Sequence, residues 1–367
     1  MPGRALSTIA LMLLAVLALS WDPGSRMWKA GQLLLALSGP SSTEPVSIVE
    51  RDLVITGSGA PIRARLYRRS DRPRGKGLVL CHGVHYKGID EPRLMPFARE
   101  LARTGLVVVT PELDDLIDYQ ITRRGKQVIT RTALWLSDHD ELVNDRKVGV
   151  LGFSFAGGLA LVAASEPELE GRLAYVASVG GHHDLDRVLR FLLTNRIETP
   201  HGIVEKQAHE YGLVVLFYQR LDRFVPEADR ELMRAAVRAW LHEERATAFA
   251  FAAHRTTPEA EHLFELIAAG KLQQLRPEIE RLIAERKDEL AALSPSGRIA
   301  HLRMPAYVVH GAGDSVIPAS ETEWAERELA GSEHMALVSP LLEHVEVNQP
   351  AGIVEKLALV RFMSHLL

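Results

Sequence analysis

Val148-Gly149-Val150-Leu151-Gly152-Phe153-Ser154-Phe155-Ala156-Gly157-Gly158 is the stretch whose reading decides the fold. A short apolar run, the pattern of a buried strand, enters G-x-S-x-A-G-G and passes straight into a helical pattern. Gly152 and Ala156 put small residues on both sides of Ser154, where a sharp strand-to-helix turn leaves no room for bulk. Such a turn holds its serine in a strained backbone conformation and lifts Oγ clear of the sheet. Gly157 and Gly158 let the helix pack close to the strand. The N-terminal N–H groups of that helix face the space above the serine.

Outward from this turn, short strands alternate with helices. Upstream, Glu50 to Thr56 and Pro61 to Tyr67 alternate apolar and polar residues around Gly57-Ser58-Gly59, as a β-hairpin does. Gly77 to Cys81 and Leu106 to Thr110 are continuous apolar runs, as expected of buried parallel strands. Helices are read at Pro96 to Arg103 and from about Tyr119 to Leu136. Downstream, Ala156 to Ala164 reads as helix and Leu173 to Val179 as strand. Between Asp184 and Ala300 no strand signal appears, and the segment is amphipathic helix, most clearly at Ile279 to Leu293. The alternation resumes with a strand at Ala306 to His310, a helix at Glu321 to Leu329, a strand at Met335 to Ser339 and a helix from Ile353 to Leu366. The expected fold is α/β: a doubly wound, mostly parallel β-sheet over residues 46–184 and 300–367, with an inserted helical cap at 185–299.

Composition removes several function classes. A formal net charge of −4 over 367 residues carries no electrostatic footprint for nucleic acid. Cys81 is the single cysteine, which excludes an internal disulfide and a cysteine-ligated zinc site. At the end of a buried strand it reads as core, not as a nucleophile. No P-loop or dinucleotide fingerprint is present, and Gly311-Ala312-Gly313 lacks the third glycine, so no cofactor is implied. His182 and His183 are adjacent, and in extended chain they point to opposite faces, which argues against a metal site. With His85 they are expected to line the entrance beneath the cap. At the N-terminus, residues 5–21 are apolar enough for a membrane anchor or a cleaved secretory signal within the segment 1–21, with a buried helix as the remaining alternative. The expected location is therefore membrane-anchored or exported. A second apolar stretch, Trp28 to Leu37, suits packing on a membrane or on the folded body.

The turn at Ser154 resembles the nucleophile turn of the α/β-hydrolase superfamily, whose motif is usually G-x-S-x-G; here Ala156 takes the last place. The resemblance runs from about Val46 to Leu367 and implies a serine nucleophile, an acid and a histidine in that chain order. His310-Gly311-Ala312-Gly313-Asp314, with Pro318 four residues on, looks like the family's acid loop and makes Asp314 the acid. Some members place the acid after the preceding strand, so Asp184 in Gly180-Gly181-His182-His183-Asp184 stays open as the alternative. Three histidines follow Asp314. His334 lies at the wrong end of a strand and His365 in the last helical turn, leaving His344 in the loop after the last strand. His82-Gly83-Val84 resembles the family's oxyanion loop, so the backbone N–H groups of Val84 and Phe155 are the expected oxyanion hole. The insertion resembles the superfamily's caps, with Phe191, Phe217, Tyr218, Phe224 and Trp240 available to line a pocket but mostly expected in the cap core. The implied activity is hydrolysis of a small carboxylic ester or thioester with an apolar acyl part. A non-catalytic membrane-tethered binding protein of the same fold, or an acyltransferase using the same triad, is the alternative.

Overall fold

The structure, a computed structural model, describes residues 24–35, 46–343, 346–347 and 352–367. Residues 24–35 form helix α1. An antiparallel hairpin follows, β1 (Ile48–Ile55) and β2 (Ile62–Arg69), then β3 (Gly75–Cys81), α2 (Leu94–Arg103) and β4 (Leu106–Pro111). The short α3 (Asp114–Ile117) and the longer α4 (Arg123–Asp138) lead to β5 (Val143–Phe153), α5 (Phe155–Ala164) and β6 (Leu173–Val179). The insertion holds α6 (Leu185–Thr194), a hairpin of β7 (Arg196–Thr199) and β8 (Gly202–Glu205), α7 (Glu210–Gln219), α8 (Glu227–Leu241), α9 (Arg245–Ala252), α10 (Pro258–Ala268), α11 (Arg276–Glu285) and α12 (Lys287–Ala292). The chain then returns through β9 (Ala306–Gly311), α13 (Ser320–Glu328), β10 (His334–Ser339), the two-residue pair β11 (Leu342–Glu343) and β12 (Glu346–Val347), and α14 (Ile353–Ser364).

Eight strands make one sheet in the order β1-β2-β4-β3-β5-β6-β9-β10. Only the β1–β2 and β2–β4 pairings are antiparallel; the others are parallel. The two-residue period of a strand sorts its side chains between two cores. Leu78, Leu80, Val108, Leu151 and Val309 join α1, α2 and α14 on one face. Val79, Cys81, Val109, Val150 and Val308 join α4, α5 and the cap on the other. Cys81 is buried and free, and burial pushes its thiol pKa up. From β3 the chain winds first to β4 on one side and then to β5 on the other. This reversal opens a crevice beyond the carboxyl ends of β3 and β5, where sheets of this kind bind ligands.

Three elements differ from the sequence reading. The hairpin β7–β8 lies where no strand was expected, because its residues are mostly exposed and carry no buried alternation. Its anchor is a side chain from elsewhere: Trp324 donates its indole N–H to the Glu198 carbonyl at 3.1 Å. The helix read over Ile279 to Leu293 is two helices, broken at Arg286 (φ −103°, ψ 13°), so the second half turns away from the first while the apolar spacing continues. The helix read from Tyr119 begins at Arg123 instead. Tyr119 has φ 57° and ends a turn whose polar centre is the buried Asp115 carboxylate. That carboxylate accepts from the Thr122 hydroxyl and from the N–H groups of Leu116 and Gly125.

The stretch beginning at Trp28 lies on the folded body as far as it is described, with Ala30 and Leu33 buried in the core of the α1 face. The anchor or signal segment, residues 5–21, lies outside the described residues. Among those described, no helix is long and apolar enough to cross a membrane.

Candidate active site

Backbone contact builds the turn at the end of β5. Ser154 has φ 54° and ψ −133°, a conformation that side chains rarely adopt. Two hydrogen bonds hold it there: the Ser154 N–H donates to the Val179 carbonyl and the Gly157 N–H to the Ser154 carbonyl, each at 2.8 Å. A Cβ at Gly152 would collide with the Ala156 carbonyl oxygen, so that position must be glycine. Ser154 itself is almost wholly enclosed.

The loop after β3 lies against the serine, and a Cβ at Gly83 would stand 3.2 Å from that of Ser154. His82 fixes this loop. Its Nδ1–H donates to the Gly83 carbonyl at 2.7 Å, and its Nε2 accepts from the Leu113 N–H at 3.0 Å. One ring nitrogen must donate and the other accept, so the ring is neutral. Burial accordingly depresses its pKa to about 4. The Val84 N–H donates to no other described residue. Phe155, as the first residue of α5, has no intrahelical acceptor for its own N–H. The Val84 carbonyl accepts from the Tyr211 hydroxyl at 3.3 Å, which ties the loop to cap helix α7. Nothing in the sequence pattern singled out Tyr211.

The loop after β9 holds Asp314, which is 1% exposed. Its Oδ1 accepts from the Val316 and Ile317 N–H groups at 2.8 and 3.0 Å, and its Oδ2 lies 3.2 Å from His310 Nε2. His310 is itself buried, with Nδ1 3.1 Å from the Thr322 hydroxyl. The Ala312 N–H donates to the Ser339 carbonyl at 3.0 Å, which joins this loop to the end of β10. His344 lies outside the described residues. In sequence it falls between the paired residues Glu343 and Glu346 of β11 and β12.

Asp184 sits at the N-cap of α6. Its carboxylate accepts from the Arg187 N–H at 3.2 Å, while its own N–H donates to Glu321 at 2.7 Å. The two histidines before it are walled in and do not line an entrance. His182 is 1% exposed and packed against Gly158 of α5, with Nε2 3.0 Å from the Leu293 carbonyl; burial lowers its pKa to about 4. His183 points the other way, 2.7 Å from the Glu328 carboxylate. Glu321, fully buried, also pairs with Arg187 at 2.6 Å, so α13 clamps the start of the cap. The helix expected at Glu321 to Leu329 gave no sign of this pairing. His85 is half-buried and stacks on Tyr86, which stacks in turn on His242 of the cap.

Two of the hollows among the described residues bear on this reading. One, of about 30 Å³, lies beside Phe155 between α6 and α7. The cap aromatics lie mostly in the core, as expected: Phe191, Phe217 and Tyr218 are buried in it, with Phe224 and Trp240 packed against it. The other, of about 270 Å³, lies near the β1–β2 turn among Arg63, Arg124 and Arg131. Each of these arginines already has a partner: Glu112 and Asp90, Asp114, and the Ala60 carbonyl respectively.

No family model and no curated relative matches the chain. Solved structures do. The rice cell wall degrading esterase LipA from Xanthomonas oryzae, in a ligand-bound form, matches with a TM-score of 0.50 at 16% identity, over 85% of this chain and 87% of that one. The chain has the α/β-hydrolase fold. An esterase from Pyrobaculum calidifontis gives a TM-score of 0.45 at 18% identity, over 85% and 80% of the two chains. A dienelactone hydrolase from Anabaena variabilis gives 0.45 at 14%, over 86% and 97%. Within the α/β-hydrolase fold, the turn at Ser154, the loop at Val84 and the loop at Asp314 follow the carboxyl ends of β5, β3 and β9 on one side of the sheet.

Proposed function

We propose that this chain is a serine hydrolase of carboxylic esters or thioesters, with Ser154 as nucleophile, His344 as base and Asp314 as acid. The observation that carries the proposal is the backbone of Ser154. A buried serine held at φ 54° stores strain that folding alone does not require, and such strain collects at reactive groups. In the reaction, Ser154 Oγ bonds to the substrate carbonyl carbon as its proton passes to His344. Asp314 accepts from the other imidazole N–H and stabilises the charged ring. The Val84 and Phe155 N–H groups receive the developing oxyanion. His344 then gives the proton to the departing alcohol or thiol. Water repeats the sequence on the acyl-enzyme, releasing the acid and restoring the serine.

The burial of Asp314 and its two backbone donors support its role as the acid. Asp184 is occupied as a helix cap, which favours Asp314 over it. The apolar segment 5–21 adds a proposed location, attached to or exported across a membrane. Fractionating cells with and without that segment checks it.

Steady-state ester hydrolysis by four variants tests the assignment. Ser154→Ala and His344→Ala are each expected to lose about a million-fold in kcat, and Asp314→Asn about ten-thousand-fold. Asp184→Asn is expected to keep its kcat to within about threefold. The same assay with added alcohol reports acyl transfer as a transesterified product. If Asp184→Asn fell as far as Asp314→Asn was expected to, and Asp314→Asn did not, the acid would be reassigned.

A further inference from the structure

We propose that the cap segment from Lys206 to Tyr211 is a strap across the Asp314 and Val84 loops, with Lys206 the positioning residue of the first and Tyr211 that of the second. The proposal rests on the reading of Ser154, Asp314 and Val84 as reacting groups. Each end of the segment reaches one loop. Lys206 Nζ donates to the Asp314 carbonyl at 2.9 Å and to the Ala312 carbonyl at 3.4 Å. The His209 N–H donates to the Ser315 carbonyl at 2.8 Å. At the other end, the Tyr211 hydroxyl donates to the Val84 carbonyl at 3.3 Å.

The strap is itself held. Asn195 ends α6 in the left-handed conformation, at φ 58°, and its carbonyl accepts from the Lys206 N–H at 2.9 Å. Its side-chain Oδ1 accepts from the Ala208 N–H, also at 2.9 Å. One asparagine therefore fixes the backbone on both sides of Gln207. Helix α7 fixes the far end, where the Tyr211 ring meets the Tyr119 ring edge-on with centroids 6.3 Å apart.

Each anchor acts on the backbone that matters to its loop. The carbonyls of Ala312, Asp314 and Ser315 are taken by the cap, while the Asp314 carboxylate accepts from the Val316 and Ile317 N–H groups of its own loop. The direction of the carboxylate follows the backbone that Lys206 and His209 hold. Among the described residues Lys206 pairs with no carboxylate, so its ammonium serves this loop, and bonds from a charged donor are the stronger kind. In the Val84 loop, a planar peptide sets its N–H opposite its carbonyl. His82 holds the Gly83 carbonyl and with it the Val84 N–H of the same peptide; Tyr211 holds the carbonyl of the next. Val84 is pinned on both sides, and release of either side lets its N–H turn away from a developing oxyanion.

The test is ester hydrolysis by the full chain and by variants that delete one donor while keeping the bulk of the side chain. Tyr211→Phe should lower kcat about tenfold and leave KM within about twofold, because the oxyanion exists only in the transition state. Lys206→Met should do the same, and Lys206→Arg, which restores a charged donor, should recover most of the loss. In an Asp314→Asn background Lys206→Met should cost no more than about twofold, since the group it positions is gone, whereas Tyr211→Phe should keep its full effect. The two deletions lie at opposite ends of the strap, so one suffices if the other fails to fold. A parent that fluorophosphonate labels at Ser154, but whose kcat survives both deletions within about twofold, overturns the strap and leaves the nucleophile standing. So does a loss confined to KM, or a loss from Lys206→Met that persists undiminished beside Asp314→Asn. A folded parent with neither labelling nor hydrolysis of any ester overturns the nucleophile, and the strap with it.

Discussion

The turn at Ser154 and the cap above it are assembled in opposite ways. Around the turn, backbone lies close against backbone: Gly152 against the Ala156 carbonyl, and Gly157 against the Gly152 carbonyl and the Gly181 Cα, with the Ser178 hydroxyl nearer still. In the cap, the corresponding contacts are between side chains, as where Gly212 of α7 meets only the flexible end of Leu192. A backbone contact cannot relax without moving the chain, whereas a leucine has other rotamers. The turn at Ser154 is thus set by rigid parts, while the cap packing at Gly212 tolerates change.

One added methyl group in each region tests that contrast. Gly152→Ala should cost about 4 kcal/mol or more and abolish activity in whatever protein survives, because the turn itself must open. Gly212→Ala should cost under about 2 kcal/mol, since Leu192 can shift and alanine favours helix. Urea unfolding of both variants measures the difference, and equal losses would break the comparison.

Acid should separate the two regions next. The buried rings of His82 and His182 lie beneath the turn, each with its pKa depressed to about 4 from the ordinary value near 6.5. A lowered histidine pKa means that the fold favours the neutral ring. The stability this contributes is complete above about pH 6.5 and is lost as the pH falls toward 4, at most about 3 kcal/mol per ring. Hydrogen exchange at pH 7 and pH 4.5 should show the β3 and β5 ends loosening before the cap helices. Loosening of the cap first would contradict this.

The smallest expected effect has the opposite sign. Ser154→Gly removes the proposed nucleophile and the strain together, so it should stabilise the fold by about 1 kcal/mol while eliminating turnover. Ser154→Ala keeps the strain and should unfold with the parent. Thermal unfolding of the pair reads the difference directly.

The same contrast explains what the sequence disclosed. Gly152, Ala156, Gly157 and Gly158 are forced by geometry, so the turn is written in residue types, and strand β6 falls where its apolar run does. The place of the loop that carries Asp314 was legible for a similar reason, since it follows a continuous apolar strand. The cap disclosed its helices but not their directions. Leucine spacing over Ile279 to Leu293 is the same whether or not the chain bends at Arg286. Contacts between distant segments left no local trace: the Glu321–Arg187 pair, the Tyr211 bond to the Val84 carbonyl, and the burial of His182 and His183 each join residues more than a hundred positions apart. The hairpin β7–β8 was missed because exposed strands do not need to alternate.

The most direct measurement is the intact mass of the full chain after reaction with a fluorophosphonate, taken beside Ser154→Ala. One adduct is expected on the parent, located at Ser154 by peptide mapping, and none on the variant. An adduct on both proteins, or none on a folded parent with and without detergent, would contradict it.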